Sequence, residues 1–217
     1  LLNKCSANFD WSEISPTIFG AIFESTLNQE TRRKGGMHYT PISIIHNVID
    51  NLFLDDLYVE FESICSLGVV KTRKEKLEKF QDKLAKLKFL DPACGSANFL
   101  TESYISLRRL ENKVIREIFA CDKGNLAGQI VLGAAYNPVK VSISQFYGIE
   151  INDFAVTVGR TALWIAESQM LHETEEIIHM NLDFLPLKTN AYIQEGNALE
   201  IDWNDIISVH ELSYIIG

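Results

Sequence analysis

Paired cysteines are missing from this sequence. Its four, Cys5, Cys65, Cys94 and Cys121, form no Cys-x-x-Cys pair and no zinc-ligand spacing. That excludes a disulfide scaffold and leads us to expect reduced thiols in a cytoplasmic setting. The histidines His38, His46, His172, His179 and His210 fall into no His-Glu-x-x-His or other ligand pattern, so no metal site is expected. No Ser-His-Asp arrangement can be argued from the sequence either. A basic excess is also lacking: 20 Lys and Arg stand against 29 Asp and Glu, for a net charge of −9. This excludes a free-standing electrostatic nucleic-acid binder, though not an enzyme whose basic surface lies elsewhere in a longer polypeptide. No apolar run reaches about 18 residues and no signal-peptide pattern is visible, so no membrane segment is expected. There is no internal repeat. No Met opens the chain, and it stops on the apolar "LSYIIG"; a piece of a longer protein is expected.

What is present suits one α/β domain with a helical extension: 217 residues, 47% hydrophobic, with 12 glycines. In 12–27, Ile18, Ile22, Phe23 and Leu27 recur at helical spacing after Ser, Glu and Pro. A basic Gly-Gly loop (28–41) follows, then helical periodicity over 41–64 with Pro41 suited to a first helical turn. Residues 71–88 alternate Lys with acidic residues around Leu77, Phe80, Leu84 and Leu87, the pattern of a solvated helix with one apolar stripe. From residue 88 the rhythm becomes strand, turn, helix. "KFLD", "QFYGIEI", "AYIQEGNAL" and "ELSYIIG" read as strands; 96–119 and 154–171 read as helices; 120–142 is irregular, an expected insertion. Helices alternating with short apolar strands predict a parallel, doubly wound sheet.

The chemistry concentrates at the end of the first strand, in Asp-Pro-Ala-Cys-Gly-Ser-Ala (91–97). Small residues at 93, 95 and 97 make a nucleotide-type loop, and the helix after it aims its positive end at whatever the loop holds. A pyrophosphate would meet the Asp91 carboxylate there. A ligand carrying an ammonium and a sulfonium suits the position better, and S-adenosylmethionine has both. An ordinary strand-to-helix turn capped by Ser96 is the plain alternative. Glu150 ends the second strand, where a carboxylate takes both hydroxyls of a ribose. Asn197 follows Gly196 after the third strand and offers an amide to an adenine edge; an Asn in a turn explains it equally well. Arg32, Arg33 and Lys34 could touch DNA phosphates, or simply form a solvated loop.

Together, "GGMHYTP", "DPACGSANFL", "GIEI" and "EGNAL", in this order, resemble the adenine-N6 DNA methyltransferases of restriction–modification systems, and "SPTIFGAIFE" resembles the helix preceding these motifs in the large bifunctional enzymes. The resemblance runs from about residue 12 to residue 217. It implies a Rossmann-like S-adenosylmethionine-dependent methyltransferase fold, with 1–87 an N-terminal helical segment and 88–217 an incomplete cofactor-binding core. By matching position, it implies that His38, Tyr39, Thr40 and Pro41 close over the methionine end. Asp91, Pro92, Ala93, Cys94 and Gly95, with Asn98 and Phe99, would form the loop around it. Glu150 would hold the ribose, Ile151 the adenine face, and Asn197 with Ala198 the adenine amino group. Two departures stand out. Ala97 replaces the usual Gly, and Asn197 the frequent Asp.

The family's catalytic Asn-Pro-Pro-aromatic motif is absent, since the one Asn-Pro, Asn137-Pro138, is followed by Val139. The resemblance implies that the motif follows Gly217 and that this segment alone is inactive. It further implies double-stranded DNA as partner, through other parts of the parent protein, and a nuclease domain or specificity subunit. Methylation of RNA or of a protein glutamine, and a non-catalytic nucleotide-binding or assembly domain, remain as alternatives. A nicotinamide oxidoreductase is disfavoured by Asp91.

Overall fold

The computed structural model describes residues 15–26, 40–122, 137–180, 182 and 190–217. The expectations for His38, Tyr39, the basic residues 32–34 and most of the insertion lie outside the described residues.

Helix α1 (Ile18–Thr26) comes first. Ile18 and Ile22, two of the expected apolar positions, face solvent. Next, α2 (Ile42–Ile49) runs through a π-helical turn (Asp50–Leu54) into α3 (Asp55–Cys65). Pro41 is the N-cap of α2, with φ −59° and ψ 144°, one position before the predicted first turn. The π turn adds one residue to the repeat and brings Ile45, Ile49, Phe53, Leu54 and Leu57 all inward. Helix α4 (Val70–Leu84) buries Leu77, Phe80 and Leu84, the expected stripe; Leu87 packs just beyond its end.

The strands β1 (Phe89–Asp91), β2 (Phe146–Glu150), β3 (Tyr192–Glu195) and β4 (Tyr214–Ile215) form one parallel sheet in the order β3-β2-β1-β4. Asp91 pairs in register with Gly148, and Glu150 with Glu195. The helices between them are α5 (Asn98–Asp122) and α6 (Asp153–Ile178). Helix α6 runs further than the predicted 154–171, because 172–178 contains no Gly or Pro to stop it. It ends at His179 in the left-handed conformation, φ 54°.

Alternation along β1 separates two packing faces. Phe89 stacks on Phe146 with ring centroids 4.9 Å apart and joins the main core with Leu100, Tyr104 and Leu107 of α5 and Leu163 and Ala166 of α6. Leu90 points the other way, to Ile149 and Ile207. Among the described residues, that second face is covered by 198–212, with its short 3-10 turn Trp203–Asp205, and by no long helix.

A buried polar clasp ties the helical layer together. Glu111, fully buried, pairs with Arg108 and accepts hydrogen bonds from Gln81 Nε2 (2.8 Å), Lys140 N (2.7 Å) and Val141 N (3.1 Å). Arg108 reaches Thr174 Oγ1 on α6 at 2.7 Å. Every charge in this cluster has a partner at close range, the condition for burying it without severe cost. The clasp brings the chain back from the insertion to the start of β2.

Candidate functional site

The carboxyl ends of β1, β2 and β3 open into one cleft of about 760 Å³, the position at which open α/β sheets bind ligands. Its floor is the β1–α5 loop. Asp91 Oδ1 accepts from Ala93 N at 3.0 Å, which turns the chain off the strand. Cys94 N donates to Ile149 O at 3.0 Å, extending the sheet contact into the loop. Gly95 and Ala97 both have positive φ, 54° and 62°. The departure from Gly at residue 97 is therefore torsional as well as a matter of packing: a left-handed Ala costs roughly 1–2 kcal/mol, where Gly costs little.

Glu150 ties the exits of the three strands together. Its Oε2 accepts from Gly95 N and its Oε1 from Asn152 N, each at 2.9 Å, while its main-chain oxygen accepts from Gly196 N at 2.8 Å. Each carboxylate oxygen keeps a second lone pair for a ligand. Asn152 also caps α6 by accepting from Ala155 N at 2.9 Å. Asn197 Oδ1 accepts from Leu199 N at 3.0 Å and so helps hold its own turn. Of the two functions expected of that amide, the donor remains uncommitted.

The electrostatics of the floor are unusual. Asp91 is 2% exposed. Burial, opposed by the Ala93 N–H and reinforced by the Glu150 charge, pushes its carboxyl up to about 7. Among the described residues no cation pairs with it. Burial, with Asp91 and Glu150 nearby, likewise pushes the Cys94 thiol up, which makes it a poor nucleophile. A buried carboxylate pair without a cation suits a positively charged ligand and repels a diphosphate.

Of the predicted site residues, Thr40, Asp91, Pro92, Ala93, Cys94, Gly95, Asn98, Phe99, Glu150, Ile151, Asn197 and Ala198 line this cleft. Pro41 does not, being turned into the start of α2. Sequence reasoning missed Leu199, Trp203 and Gly217, which also line it. Leu199 is almost fully exposed, and Trp203 is fixed by its Nε1, which donates to Ala198 O at 2.8 Å. The signal available was two large apolar side chains just after a strand end, where a buried core has no use for them. A separate cavity of about 640 Å³ lies between α2, α5 and α6 and holds His46, Glu102 and Arg109, with no predicted site residue. Among the described residues no cluster of His, Cys, Asp and Glu could hold a metal, and no helix is long and apolar enough to cross a membrane.

A parallel β3-β2-β1-β4 sheet with this loop and an acidic second-strand end defines a Rossmann-like methyltransferase domain. Comparison with known proteins narrows it. Residues 67–217 match the family described as "MmeI, DNA-methyltransferase domain", and the chain belongs to that family. It is 37% identical over its whole length to DNA methyltransferase A of Bacillus subtilis (strain 168), of which it spans 23%. It is 26% identical, over 89% of its length, to the putative type II restriction enzyme and methyltransferase RM.MjaORFECS2P of Methanocaldococcus jannaschii, spanning 17% of that protein. The solved structure of the type IIL restriction-modification enzyme MmeI in complex with DNA superposes on 96% of the chain with a TM-score of 0.81 and 40% identity; the chain covers 26% of it. The chain thus spans about a quarter or less of each of these relatives.

Proposed function

We propose that this domain binds S-adenosylmethionine in the cleft and serves a restriction–modification enzyme that methylates adenine N6 in double-stranded DNA. The observation that carries the reading is Asp91: a buried carboxyl lacking a cation among the described residues, on the floor of a nucleoside-sized cleft. When bound, the cofactor supplies an activated methyl group on a sulfonium. Asp91 and the backbone of Ala93 and Cys94 would hold the methionine end, with Thr40 at the opposite wall. Glu150 would accept the ribose hydroxyls on its free lone pairs while keeping Gly95 in place. Ile151 and Leu199 offer apolar surface to the adenine, and Asn197 a donor to its ring nitrogen. All of this is positioning: it fixes the methyl donor in line with an incoming amine.

The groups that accept hydrogens from the target amine would follow Gly217, which sits against Asp91 at the mouth of the cleft. The target base would have to leave the duplex to reach it. DNA contacts, and a nuclease domain or specificity subunit, would lie in other parts of the parent polypeptide, in the cytoplasm. The DNA in the MmeI structure supports this choice over RNA or a protein glutamine as substrate.

Two measurements test the reading. Calorimetric titration of the chain with S-adenosylmethionine should give saturable one-site binding that NADH does not reproduce. The parent polypeptide with labelled cofactor and duplex DNA should place the label on adenine N6. Label on cytosine, or tight NADH binding instead, would overturn it.

A further inference from the structure

Three glycines from three elements press on the β1–α5 loop where a β-carbon would not fit. A β-carbon at Gly148 of β2 would stand 2.8 Å from Cys94 Sγ, and one at Gly159 of α6 would stand 2.9 Å from Ala97 Cβ. Both glycines belong to the sheet domain. The third does not. A β-carbon at Gly20 of α1 would stand 2.3 Å from Ser96 Oγ, 2.9 Å from Asn98 Oδ1 and 3.0 Å from Ser96 Cβ. Helix α1 is thus seated directly on the outer side of the loop, with Gly20 N donating to Thr17 O at 3.1 Å and Thr17 itself buried.

We propose that Gly20 is a positioning residue for the cofactor cleft, acting through Ser96 and Asn98, and that α1 is thereby a working part of the site. Ser96 and Asn98 both line the cleft while touching α1 on the other side. Asn98 Oδ1 is buried without a hydrogen-bond partner, so packing against α1 restrains it on that side. An added methyl at Gly20 must turn both side chains and shift the Ser96 β-carbon. The disturbance therefore goes into the cleft rather than into the core. Reciprocally, whatever displaces α1 releases the loop, and a bound cofactor holds α1 down. This inference rests on the cofactor reading above, and its test separates the two.

Gly20→Ala, Ser96→Gly and the double variant are made in the 217-residue chain and titrated with S-adenosylmethionine. Backbone amide exchange of residues 93–98 is followed without ligand, with the β1 and β2 amides as internal reference. Gly20→Ala should weaken binding at least about tenfold, the usual cost of overpacking a tight contact. The loss should shrink in the Ser96→Gly background, where the two closest Ser96 atoms are gone. Exchange at 93–98 should speed up in Gly20→Ala while the strand amides stay protected. Unchanged exchange and affinity in Gly20→Ala, or equal losses in both backgrounds, would overturn the proposal. If the parent chain binds no cofactor, the function proposed above fails instead, and the ligand-free exchange still decides the role of Gly20.

Discussion

Glu150 Oε2 accepts a hydrogen bond from the main-chain N–H of Gly95 at 2.9 Å, across 55 residues of sequence. The group expected to hold the ribose also holds the loop for the methionine end. The two halves of the cleft therefore share one side chain, and a change there should affect loop and ligand together. Glu150→Gln keeps one acceptor and places an amide NH2 against the other buried N–H. We expect a stability loss of about 1–3 kcal/mol from the unsatisfied donor and a fall in S-adenosylmethionine affinity of more than about tenfold. Urea denaturation and calorimetry on one preparation would show both; an affinity loss with unchanged stability would mean that the Gly95 contact carries no weight.

Asp91 gives the cleft a pH dependence of definite sign. Its carboxyl, raised to about 7 by burial against the Ala93 hydrogen bond, holds a proton in the folded chain where the unfolded chain has lost it. Its contribution to stability is complete below about pH 4 and is lost as pH rises through 7. A cationic ligand prefers the ionised form, so cofactor affinity should rise from about pH 5 to pH 7 and then level off. Asp91→Asn should bind more weakly and lose that slope. A parent affinity flat across this range would show that the cation is not placed at Asp91.

Ala97 and Gly159 divide one methyl-sized space between them. Ala97 is buried at φ 62°, and a β-carbon at Gly159 would meet its β-carbon at 2.9 Å, Ile193 Cδ1 at 3.0 Å and the Ser96 carbonyl carbon at 3.3 Å. Gly159→Ala should cost about 1–3 kcal/mol by overpacking. In an Ala97→Gly background, which removes one of those contacts and the left-handed strain, the cost should fall by about 1 kcal/mol. Chemical denaturation of the four-member cycle measures the coupling directly.

The sheet was largely legible before any coordinates. Each strand is a short apolar run closed by Asp91, Glu150 or Gly196, and the alternation with helices leaves few topologies open. The loop was legible because small residues at fixed spacing after a strand have few uses. What escaped was whatever depends on residues far apart in sequence. Glu150 as a tie between loops cannot be seen from "YGIEI". Arg108 and Glu111 read as the polar face of a helix, yet α5 lies among α4, α6 and the sheet and buries them both. Gly20, Gly148 and Gly159 did leave a trace, as isolated glycines inside a helix or strand, where propensity alone disfavours them and close approach is the usual reason. The second face of the sheet was less legible: an exit segment with a 3-10 turn has no periodicity to announce it.

His46 joins the start of α2 to the helix leaving the cofactor loop. Its Nδ1 lies 2.8 Å from Asp50 and its Nε2 3.1 Å from Glu102, and Thr40 at the cleft wall is six positions upstream. Partial burial works against the imidazolium, but the hydrogen bonds and charges of Asp50 and Glu102 outweigh it and raise the His46 pKa. Arg109, His172, Glu173 and Glu176 line the same cavity, so its other charges are mixed in sign. A His raised in the folded state contributes stability that is complete below about 6.5 and is lost as pH rises through its folded value. The melting temperature of the parent should therefore exceed that of His46→Ala by most at pH 5.5 to 6 and converge with it at about pH 8. A constant difference across that range would mean that His46 acts by packing alone, with no part played by its charge.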